Sequence, residues 1–296
     1  MHNEPLVSII MNCYNGEKYL KLALKSVIKQ KYKNWELIFW DNKSTDKSKK
    51  IFKSFKDKRF RYFYAKKFTS LYAARNKAIL RSKGQFISFL DVDDLWMPNK
   101  LNLQIPLFKN KKVGVVYSKL LILNQSKNIK KIHVNKKLPE GNISKIIISN
   151  YNIGIITTVI RKNILKKLKK IFDYRFTHIG DFDLFIRLSK ICEFKAAQLP
   201  TAIYRAHGKN LTTIEKDKAI AEFEIWLKEN KKNLRLHEVK KIKSMIDHKK
   251  LINYKLKEDY LNSFKILFNF KNFNLSLKNV IIFCLPSVIL KKIFWY

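Results

Sequence analysis

The chain has few cysteines, glycines and prolines, and cysteine is the residue that cross-links many small secreted proteins. Its 296 residues include only 3 cysteines, 7 glycines and 6 prolines. Cys13, Cys192 and Cys284 show neither metal-ligand spacing nor a pairing pattern, so we expect free thiols in a reducing compartment. The first residues, MHNEPLVSII, enter a strand pattern at once, without the basic region or cleavage site of a signal peptide. These features argue against a disulfide framework, a zinc finger and a secretory leader.

Long apolar runs and several common catalytic motifs are also missing. No run reaches the roughly 18 to 20 residues that a membrane-spanning helix needs. The nearest, NVIIFCLPSVIL at 279–290, is interrupted by Pro286. The chain has no G-x-x-x-x-G-K-[ST], G-x-G-x-x-G, G-x-S-x-G or H-E-x-x-H pattern. P-loop, dinucleotide-binding, serine-hydrolase and zinc-protease functions therefore lose support.

Negative charge is scarce. The sequence has 62 Lys and Arg against 23 Asp and Glu, a formal net charge of +39. Such a surplus suits an anionic partner such as nucleic acid, an anionic membrane face or a phosphorylated small molecule. Compositional drift toward lysine is the alternative cause. With 46% hydrophobic residues, the chain can bury a sizeable core, so we expect a globular protein.

Strand and helix patterns alternate through the first hundred residues. The strand patterns are at 6–14, 35–40, 60–65 and 85–91, and the helix patterns at 17–30, 44–55 and 71–83, with Ser44 as a helix cap. This alternation predicts a parallel, doubly wound α/β sheet. Ligands bind such sheets at the carboxyl ends of the strands. The polar turns 12–15, 41–46 and 91–94 all fall there.

The rest of the chain changes texture twice. Between residues 100 and 210 the pattern is mixed, with predicted strands at 113–123, 153–160 and 194–207 and a helix at 181–191. Beyond about residue 214 the sequence becomes helical and charged, with 18 basic and 9 acidic residues from 215 onward.

The densest acidic motif is FISFLDVDDLW at 86–96. Asp91, Asp93 and Asp94 follow a predicted strand, so we expect them on an exposed turn at the ligand edge of the sheet. Like charges this close repel unless something neutralises them. Carboxylate oxygens in this setting suit Mg²⁺ or Mn²⁺, which keep open positions for phosphate oxygens. A solvated turn that caps the next helix is the alternative.

Two further turns belong to the same edge. In FWDNKSTD, at 39–46, Asp41 or Asn42 is suited to hydrogen-bond a nucleobase or ribose. In AARNKAI, at 73–79, Arg75 is suited to hold a diphosphate with both arms of its guanidinium. Taken alone, Arg75 is better explained as a solvated surface residue.

A second acidic motif, THIGDFDLFIRL, spans 177–188. Asp181 and Asp183 fall at a predicted helix start, where one caps the helix and the other is available as a general base. Gly180 suggests a tight turn. His207, in YRAHGKN, is a candidate to join the site, with a structural role as the alternative.

In this order the motifs resemble those of family 2 glycosyltransferases with the GT-A fold. VSIIMNCYNGEKYLKLALKSVIKQ matches the opening of that family, and ELIFWDNKSTDKS its nucleotide turn. ARNKAI is similar to its arginine helix and GQFISFLDVDDLW to its metal-binding D-x-D strand. IGDFDLFIRL resembles its acidic acceptor-side motif, and YRAHGKNLT the segment that follows. The resemblance covers about residues 5–213.

The resemblance implies a fold and a domain division. The fold is GT-A, an α/β, doubly wound and mostly parallel sheet with a C-terminal helical extension. Residues 1–213 would form the glycosyltransferase domain, with 1–99 as the nucleotide-sugar half and 100–213 as the acceptor half. Residues 214–296 would form a basic helical extension.

The resemblance also implies a reaction. A sugar would pass, with inversion, from a nucleotide-diphospho-sugar, with a UDP-sugar favoured, to a hydroxyl of a glycan or lipid-linked acceptor, with Mn²⁺ or Mg²⁺ as cofactor. Asp94 would be the main metal ligand, Asp93 with Asp91 would hold ribose and metal, and His207 is a further metal candidate. Asn12, Asp41, Asn42 and Arg75 would line the nucleotide pocket, and Asp181 would be the base.

Two positions depart from the family pattern. Asn42 stands where many members carry a second acid that contacts the base, and Gly180 stands where a Glu is common. Asp181 and Asp183 both remain candidates for the base, and Asp181 is preferred because its place after Ile-Gly fits the motif better.

The positive charge and the apolar end 277–296 predict a cytoplasmic enzyme resting on the inner, anionic face of the cell membrane, in surface-polysaccharide or lipopolysaccharide assembly. A helix packed on protein is the alternative for that end. Three other functions stay open: a basic nucleic-acid-binding protein, a metal-dependent nucleotidyltransferase and a non-catalytic scaffold. No nucleic-acid-binding motif is present, so we expect no such partner.

Overall fold

The structure is a computed structural model and describes residues 4–268 and 277–293. Residue contacts divide the chain into two compact units, Met1–Ala206 and His207–Tyr296. The roles assigned above to residues 1–99, 100–213 and 214–296 stay predictions.

The first half of the first unit alternates strands and helices. Its elements are β1 (Val7–Cys13), α1 (Glu17–Ile28), β2 (Trp35–Asp41), α2 (Ser48–Lys53), β3 (Phe60–Tyr64), α3 (Leu71–Leu80) and β4 (Phe86–Phe89). The four strands are parallel in the order β3-β2-β1-β4. Because parallel strands all point the same way, their carboxyl ends meet at one edge of the sheet.

The second half of this unit completes a mixed sheet. Its elements are β5 (Leu95–Trp96), α4 (Lys100–Gln104), β6 (Val113–Asn124), β7 (Ile129–Ile132), β8 (Val159–Arg161), α5 (Lys162–Leu165), α6 (Gly180–Ser189) and β9 (Glu193–Ala206). The strand order continues β4-β8-β6-β9-β5, and β7 pairs with β6. Strand β8 runs antiparallel to both neighbours, and β5 is antiparallel to β9, whereas β6 and β9 are parallel.

The core follows from the apolar runs read in the sequence. Every residue of β1 and β2 is buried, as is usual for central strands covered on both faces. The apolar spacing of Leu20, Leu24, Val27 and Ile28 predicts one buried face of α1, and the first three are buried while Ile28 is half-buried. The loops after β1 and β2 are tied together, since Glu17 N donates to Asp46 Oδ2 (2.9 Å) and Gly16 N to Ser48 Oγ (2.9 Å).

That interlock corrects one prediction about a helix start. Ser44 does not cap a helix; its hydroxyl accepts a hydrogen bond from Asn15 N (3.0 Å). Helix α2 begins later, at Ser48, whose N–H donates to Asp46 Oδ1 (2.9 Å). Residues 42–47 stay in a turn because their side chains bond the neighbouring loop.

The predicted strand at 153–160 was also partly wrong. Ile155–Thr157 forms a 3₁₀ turn, and only the end of the stretch pairs, as β8. The hydroxyls of Thr157 and Thr158 donate to the carbonyl oxygens of Gly154 and Ile155, each at 2.7 Å. Such local side-chain bonds compete with strand pairing for the same backbone oxygens.

The second unit is helical in its described part. Its helices are α7 (Leu211–Ile214), α8 (Lys216–Asn230), α9 (Leu236–Leu256), α10 (Tyr260–Leu267), α11 (Leu277–Cys284) and α12 (Ser287–Ile293). Leu251, Ile282 and Leu290 form a small buried cluster that joins α9, α11 and α12. Asp259 caps α10 by accepting from Asn262 N (3.1 Å). Of the predicted apolar end, residues 294–296 lie outside the described residues.

Helix α10 leaves apolar side chains on its surface. Tyr260, Leu261, Phe264 and Phe268 are all exposed, and their spacing puts them on one face of the helix. Within the described ranges 4–268 and 277–293, every helix is too short or too polar to cross a membrane.

Candidate active site

The acidic turn lies directly after β4, at the carboxyl edge of the parallel strands. Asp91 and Asp93 are partly exposed, but Asp94 is 2% exposed, which corrects the expectation of a fully exposed turn. Asp94 is covered because β5 pairs with β9, and its Oδ1 accepts from the backbone N of Arg205 (2.8 Å).

Arg205 is a residue that the motif reading missed. Its backbone holds Asp94, and its Nε donates to the carbonyl oxygen of Asp93 (2.9 Å). The guanidinium also lies 4.9 Å from the centre of the Tyr19 ring. The sequence motif YRAHGKN predicts a role for His207, whereas Arg205, two positions earlier, holds the acidic turn in place. The available signal was a basic residue at the end of a strand pattern.

Three carboxylates lie close together in this turn, and one of them is buried. Burial, together with the carboxylates of Asp93 and Asp91, raises the pKa of Asp94 well above its usual range. A divalent cation would offset this repulsion, so the donor chemistry fits Mg²⁺ or Mn²⁺. Within residues 4–268 and 277–293, no group of three or more His, Cys, Asp or Glu side chains is arranged to hold a metal. A cation here would therefore need oxygens from the substrate or water as well.

Arg75 pairs with the acidic turn from α3. Its guanidinium is 2.5 Å from Asp91 Oδ1 and the residue is 3% exposed. The arginine is thus engaged by a carboxylate rather than solvated. It is the element of the site that joins α3 to the turn after β4.

The turn after β2 is held by its own polar side chains. Asp41 Oδ1 accepts from Ser44 N (2.7 Å), and Oδ2 accepts from Tyr62 Oη (2.6 Å). Asn42 Nδ2 donates to the carbonyl oxygen of Thr69 (2.7 Å). Both side chains therefore shape the loops at this edge of the sheet.

Asn12 contributes an unpaired amide to the same edge. It is 9% exposed, and neither amide atom has a hydrogen-bond partner among the described residues. Trp40, its register partner on β2, has a buried indole N–H that is likewise unpaired in the described part of the chain. Buried polar groups left this way call for a partner such as a ligand or water.

The second acidic motif begins α6. Asp181 is partly exposed, and its Oδ1 accepts from Tyr72 Oη (3.1 Å) and from Phe182 N (2.9 Å). Desolvation raises the pKa of Asp181, while the Arg75 guanidinium and both hydrogen bonds act in the opposite direction. Arg75 therefore interacts with both acidic motifs and brings them into one electrostatic site.

Asp183 has a different environment from Asp181. It is buried, and its Oδ2 accepts from Arg187 Nε (2.9 Å) and a terminal guanidinium nitrogen (2.7 Å). Arg187 in turn donates to the carbonyl oxygens of Lys170 (2.7 Å) and Ile171 (2.6 Å). Asp183 thus anchors α6 to the segment before it.

His207 is the first residue of the second unit. Its backbone N donates to Asn210 Oδ1 (2.5 Å), and its Nδ1 accepts from Lys209 N (3.2 Å). These contacts form a local turn. Its place in a metal site stays a prediction.

Two open cavities lie away from these motifs. One of about 630 Å³ is lined by residues before β2 and β3, among them Lys33, Asp57 and Arg59, and so opens at the amino edge of the sheet. Its carboxylate, Asp57, already pairs with Arg59 at 2.6 Å. A smaller cavity of about 350 Å³ is lined by Lys83 and Lys162. Neither contains the aspartates that carry the site chemistry.

Comparison with known proteins identifies the family of the chain. Residues 8–179 match the family model described as Glycosyl transferase family 2. WfgD of Escherichia coli, a UDP-Glc:alpha-D-GlcNAc-diphosphoundecaprenol beta-1,3-glucosyltransferase, is 32% identical over 185 residues, which are 62% of this chain and 70% of WfgD.

Solved structures share the fold. The crystal structure of S. aureus TarS 1-349 in complex with UDP-GlcNAc has a TM-score of 0.67 at 17% identity, covering 89% of this chain and 80% of that one. The mannosyltransferase PcManGT from Pyrobaculum calidifontis, in complex with GDP-Man and Mn²⁺, has a TM-score of 0.63 at 13% identity, covering 95% and 79%. The chain belongs to glycosyltransferase family 2 and is a glycosyltransferase with the GT-A fold.

Proposed function

We propose that this glycosyltransferase is metal-dependent and inverting, and that it moves a sugar from a nucleotide-diphospho-sugar to a hydroxyl of a lipid-linked or glycan acceptor. The observation that carries the proposal is that Arg75 pairs with Asp91 of the first acidic motif and also acts on Asp181 of the second. Asp94 is buried, and burial together with two neighbouring carboxylates raises its pKa, while Asp181 is partly exposed. One motif suits the donor diphosphate and the other the acceptor.

In the proposed reaction Asp181 is the base. The acceptor oxygen forms a bond to the anomeric carbon while the bond from that carbon to the diphosphate breaks. The proton of the acceptor hydroxyl passes to Asp181, and the nucleoside diphosphate leaves with the electron pair. One carboxylate is enough for such a direct displacement, which inverts the anomeric centre. Asp183 is unsuited to the role because Arg187 already holds it.

Asp94 and Asp93 would hold the cation. When bound, Mg²⁺ or Mn²⁺ would supply a Lewis acid for the charge that develops on the leaving diphosphate. Arg205 would keep the two carboxylates in place through its bonds to the Asp94 side chain and the Asp93 backbone. Asp91 is already neutralised by Arg75, which supports Asp94 as the main ligand.

Asn12, Asp41 and Asn42 would line the nucleotide pocket. The unpaired amide of Asn12 supports this assignment directly. Asp41 and Asn42 are engaged in their loops, so we assign them to shaping the pocket. The name of the E. coli relative gives UDP-glucose as its donor and a diphosphoundecaprenol-linked acceptor. We extend the donor and acceptor classes, a UDP-sugar and a lipid diphosphate, to this chain.

The test of the donor site is a thermal-shift screen of UDP, GDP, CDP and dTDP, each with Mn²⁺ or with EDTA. A ligand present at a hundred times its Kd adds about 2.7 kcal/mol to the free energy of unfolding. We expect one nucleotide, UDP, to stabilise the protein only with metal. Asp94→Asn should lose that shift, while Asp57→Asn, at the opposite edge of the sheet, should keep it. Metal-independent stabilisation, or none by any nucleotide, would contradict the proposal.

We further propose that the chain works at the inner, anionic face of the cell membrane. The net charge of +39 and the exposed apolar face of α10 support this placement. The two carboxylates beside that face are both engaged, Glu258 with Ser287 Oγ (3.1 Å) and Asp259 with Asn262 N (3.1 Å).

Co-sedimentation with vesicles tests the membrane proposal. We expect binding to vesicles that contain phosphatidylglycerol and weaker binding to neutral phosphatidylcholine vesicles. Leu261→Ser with Phe264→Ser should weaken binding at high salt, whereas Leu80→Ser, at a still more exposed leucine of the first unit, should not. Random duplex DNA serves as a polyanion control. Equal vesicle binding by the double variant and the wild type would contradict a role for α10.

A further inference from the structure

The backbone conformation does not explain why residue 180, directly before Asp181, is a glycine. Among the described residues, Gly141 is the only glycine with a positive φ, so Gly180 needs no left-handed conformation. A Cβ placed on Gly180 would lie 2.5 Å from Cδ2 of Tyr72 and 2.6 Å from its Cε2. The tight turn expected at this position is therefore replaced by a close contact. Gly180 is a glycine because the ring of Tyr72 fills the space that a side chain would take.

The ring of Tyr72 is fixed from several sides. The residue lies on α3 and is 3% exposed. Its ring stacks on Phe172, with centroids 4.9 Å apart, and the guanidinium of Arg75 lies 5.2 Å from its centre. A ring held this firmly gives its hydroxyl one position, and that position is 3.1 Å from Asp181 Oδ1.

The contacts of Asp181 are unequal. Its Oδ1 accepts two hydrogen bonds, from Tyr72 Oη and from Phe182 N. No hydrogen bond to Oδ2 is present within the part of the chain that the structure describes. The two donors fix the carboxylate plane and leave Oδ2 as the oxygen free to accept a proton.

We propose that Tyr72 is a positioning residue for Asp181 and that Gly180 is its steric complement, so that the two act as a matched pair. The inference rests on the proposed role of Asp181 as the base that deprotonates the acceptor. The ring of Tyr72 lies where a side chain at position 180 would be, and from there its hydroxyl donates to Asp181.

The pair acts within a defined electrostatic setting. Arg75 on α3 faces Asp181 and lowers the pKa of its carboxyl, and the Tyr72 hydrogen bond acts in the same direction. Tyr151 also faces Asp181, and the carboxylate contributes to raising the pKa of that phenol. Asp91 partly neutralises Arg75. Loss of the Tyr72 hydroxyl should therefore make Asp181 harder to ionise.

Tyr72→Phe is the decisive variant because it keeps the ring against Gly180 and removes only the hydroxyl. We expect kcat to fall about tenfold or more, the range for a lost hydrogen bond to a charged group, with the donor KM unchanged. The acid limb of the pH–rate profile should move to higher pH, a change that a purely structural role would not cause. Tyr174→Phe, an exposed tyrosine of the same unit, is the matched control.

A double-variant cycle tests the steric half. Gly180→Ala should lower the Tm because the new methyl group would clash with the Tyr72 ring. Adding Tyr72→Ala should relieve that clash, so the two changes should be strongly non-additive in Tm. Additive effects would overturn the pairing of Gly180 with Tyr72.

A carbon-13 NMR titration separates this inference from the proposed function. The Asp181 carboxyl signal, assigned by its loss in Asp181→Asn, should titrate at higher pH in Tyr72→Phe than in the wild type. An unchanged titration would overturn the positioning role, whatever the activity of the protein. If the titration shifts but Asp181→Asn retains full transferase activity, the proposed base is wrong and the positioning proposal falls with it.

Discussion

In both acidic motifs of the first unit, one aspartate forms an ion pair with an arginine and another does not. In the turn after β4, Asp91 is paired with Arg75, while Asp94 is buried among carboxylates. At the start of α6, Asp183 is paired with Arg187, while Asp181 keeps an oxygen with no hydrogen bond in the described structure. In each motif one carboxylate is bound by an arginine and another is left for chemistry.

The two motifs differ in the surroundings of the aspartate that is not paired with an arginine. Asp94 is buried, so its charge is costly unless a proton or a cation balances it. Asp181 is partly exposed and held by neutral donors, so it can exchange a proton. The comparison teaches that closely spaced aspartates of one motif have unlike surroundings: one forms an ion pair with an arginine side chain and the other does not.

The largest effect on kcat should come from replacing the aspartates of α6 one at a time. Asp181→Asn should lower kcat by about a thousandfold, the scale of a lost general base, while Asp183→Asn should retain most of the activity of whatever protein stays folded. Steady-state transfer assays at saturating donor measure the difference. If Asp183→Asn is the variant that loses kcat, the comparison is reversed and Asp183 is the base.

For the stability of the fold, in contrast to kcat, Asp183→Asn should have the larger effect. Asp183→Asn removes the partner of Arg187 in a mostly buried ion pair and should cost about 3 kcal/mol, whereas Asp181→Asn should stabilise the fold slightly at neutral pH because it removes a poorly solvated charge. Urea unfolding of both variants tests this. Equal destabilisation by the two changes would break the distinction between them.

Arg75 offers a way to disturb both motifs at once. Arg75→Met removes a charge that lowers the pKa of Asp181, so the acid limb of the kcat profile should move to higher pH. Arg59→Met, which breaks a surface pair with Asp57, is the control and should leave the limb in place. A limb that stays unmoved in Arg75→Met would show that the two motifs are electrostatically independent.

The smallest effect is a pH dependence of the Tm. Because the pKa of Asp181 is raised in the folded state, its ionised form costs stability as the pH rises through that value. The Tm advantage of Asp181→Asn should therefore be small below about pH 4, near the pKa of an unfolded aspartate, and grow as the pH rises. Calorimetry of the variant and the wild type across this range measures it, and a pH-independent difference would contradict the raised pKa.

Much of the fold could be read from the chain because local patterns are strong there. The apolar runs of β1 and β2 and the spacing of Leu20, Leu24 and Val27 on α1 predict their elements directly. Predictions failed where polar side chains bonded backbone groups that the pattern does not indicate. Ser44 bonds Asn15 instead of capping a helix, and the hydroxyls of Thr157 and Thr158 hold a 3₁₀ turn in place of the start of a strand.

The sequence by itself determined the alternating α/β half, the carboxyl edge where the polar turns meet, and the positions of the two acidic motifs, because periodicity and motif spacing are local properties. Only the tertiary structure decided which aspartate is bound by an arginine, that Arg205 holds the acidic turn, and that Tyr72 occupies the space left by Gly180. Those outcomes depend on contacts between residues far apart in the chain, and burial and hydrogen bonding act there at distances of a few ångströms that sequence spacing does not encode.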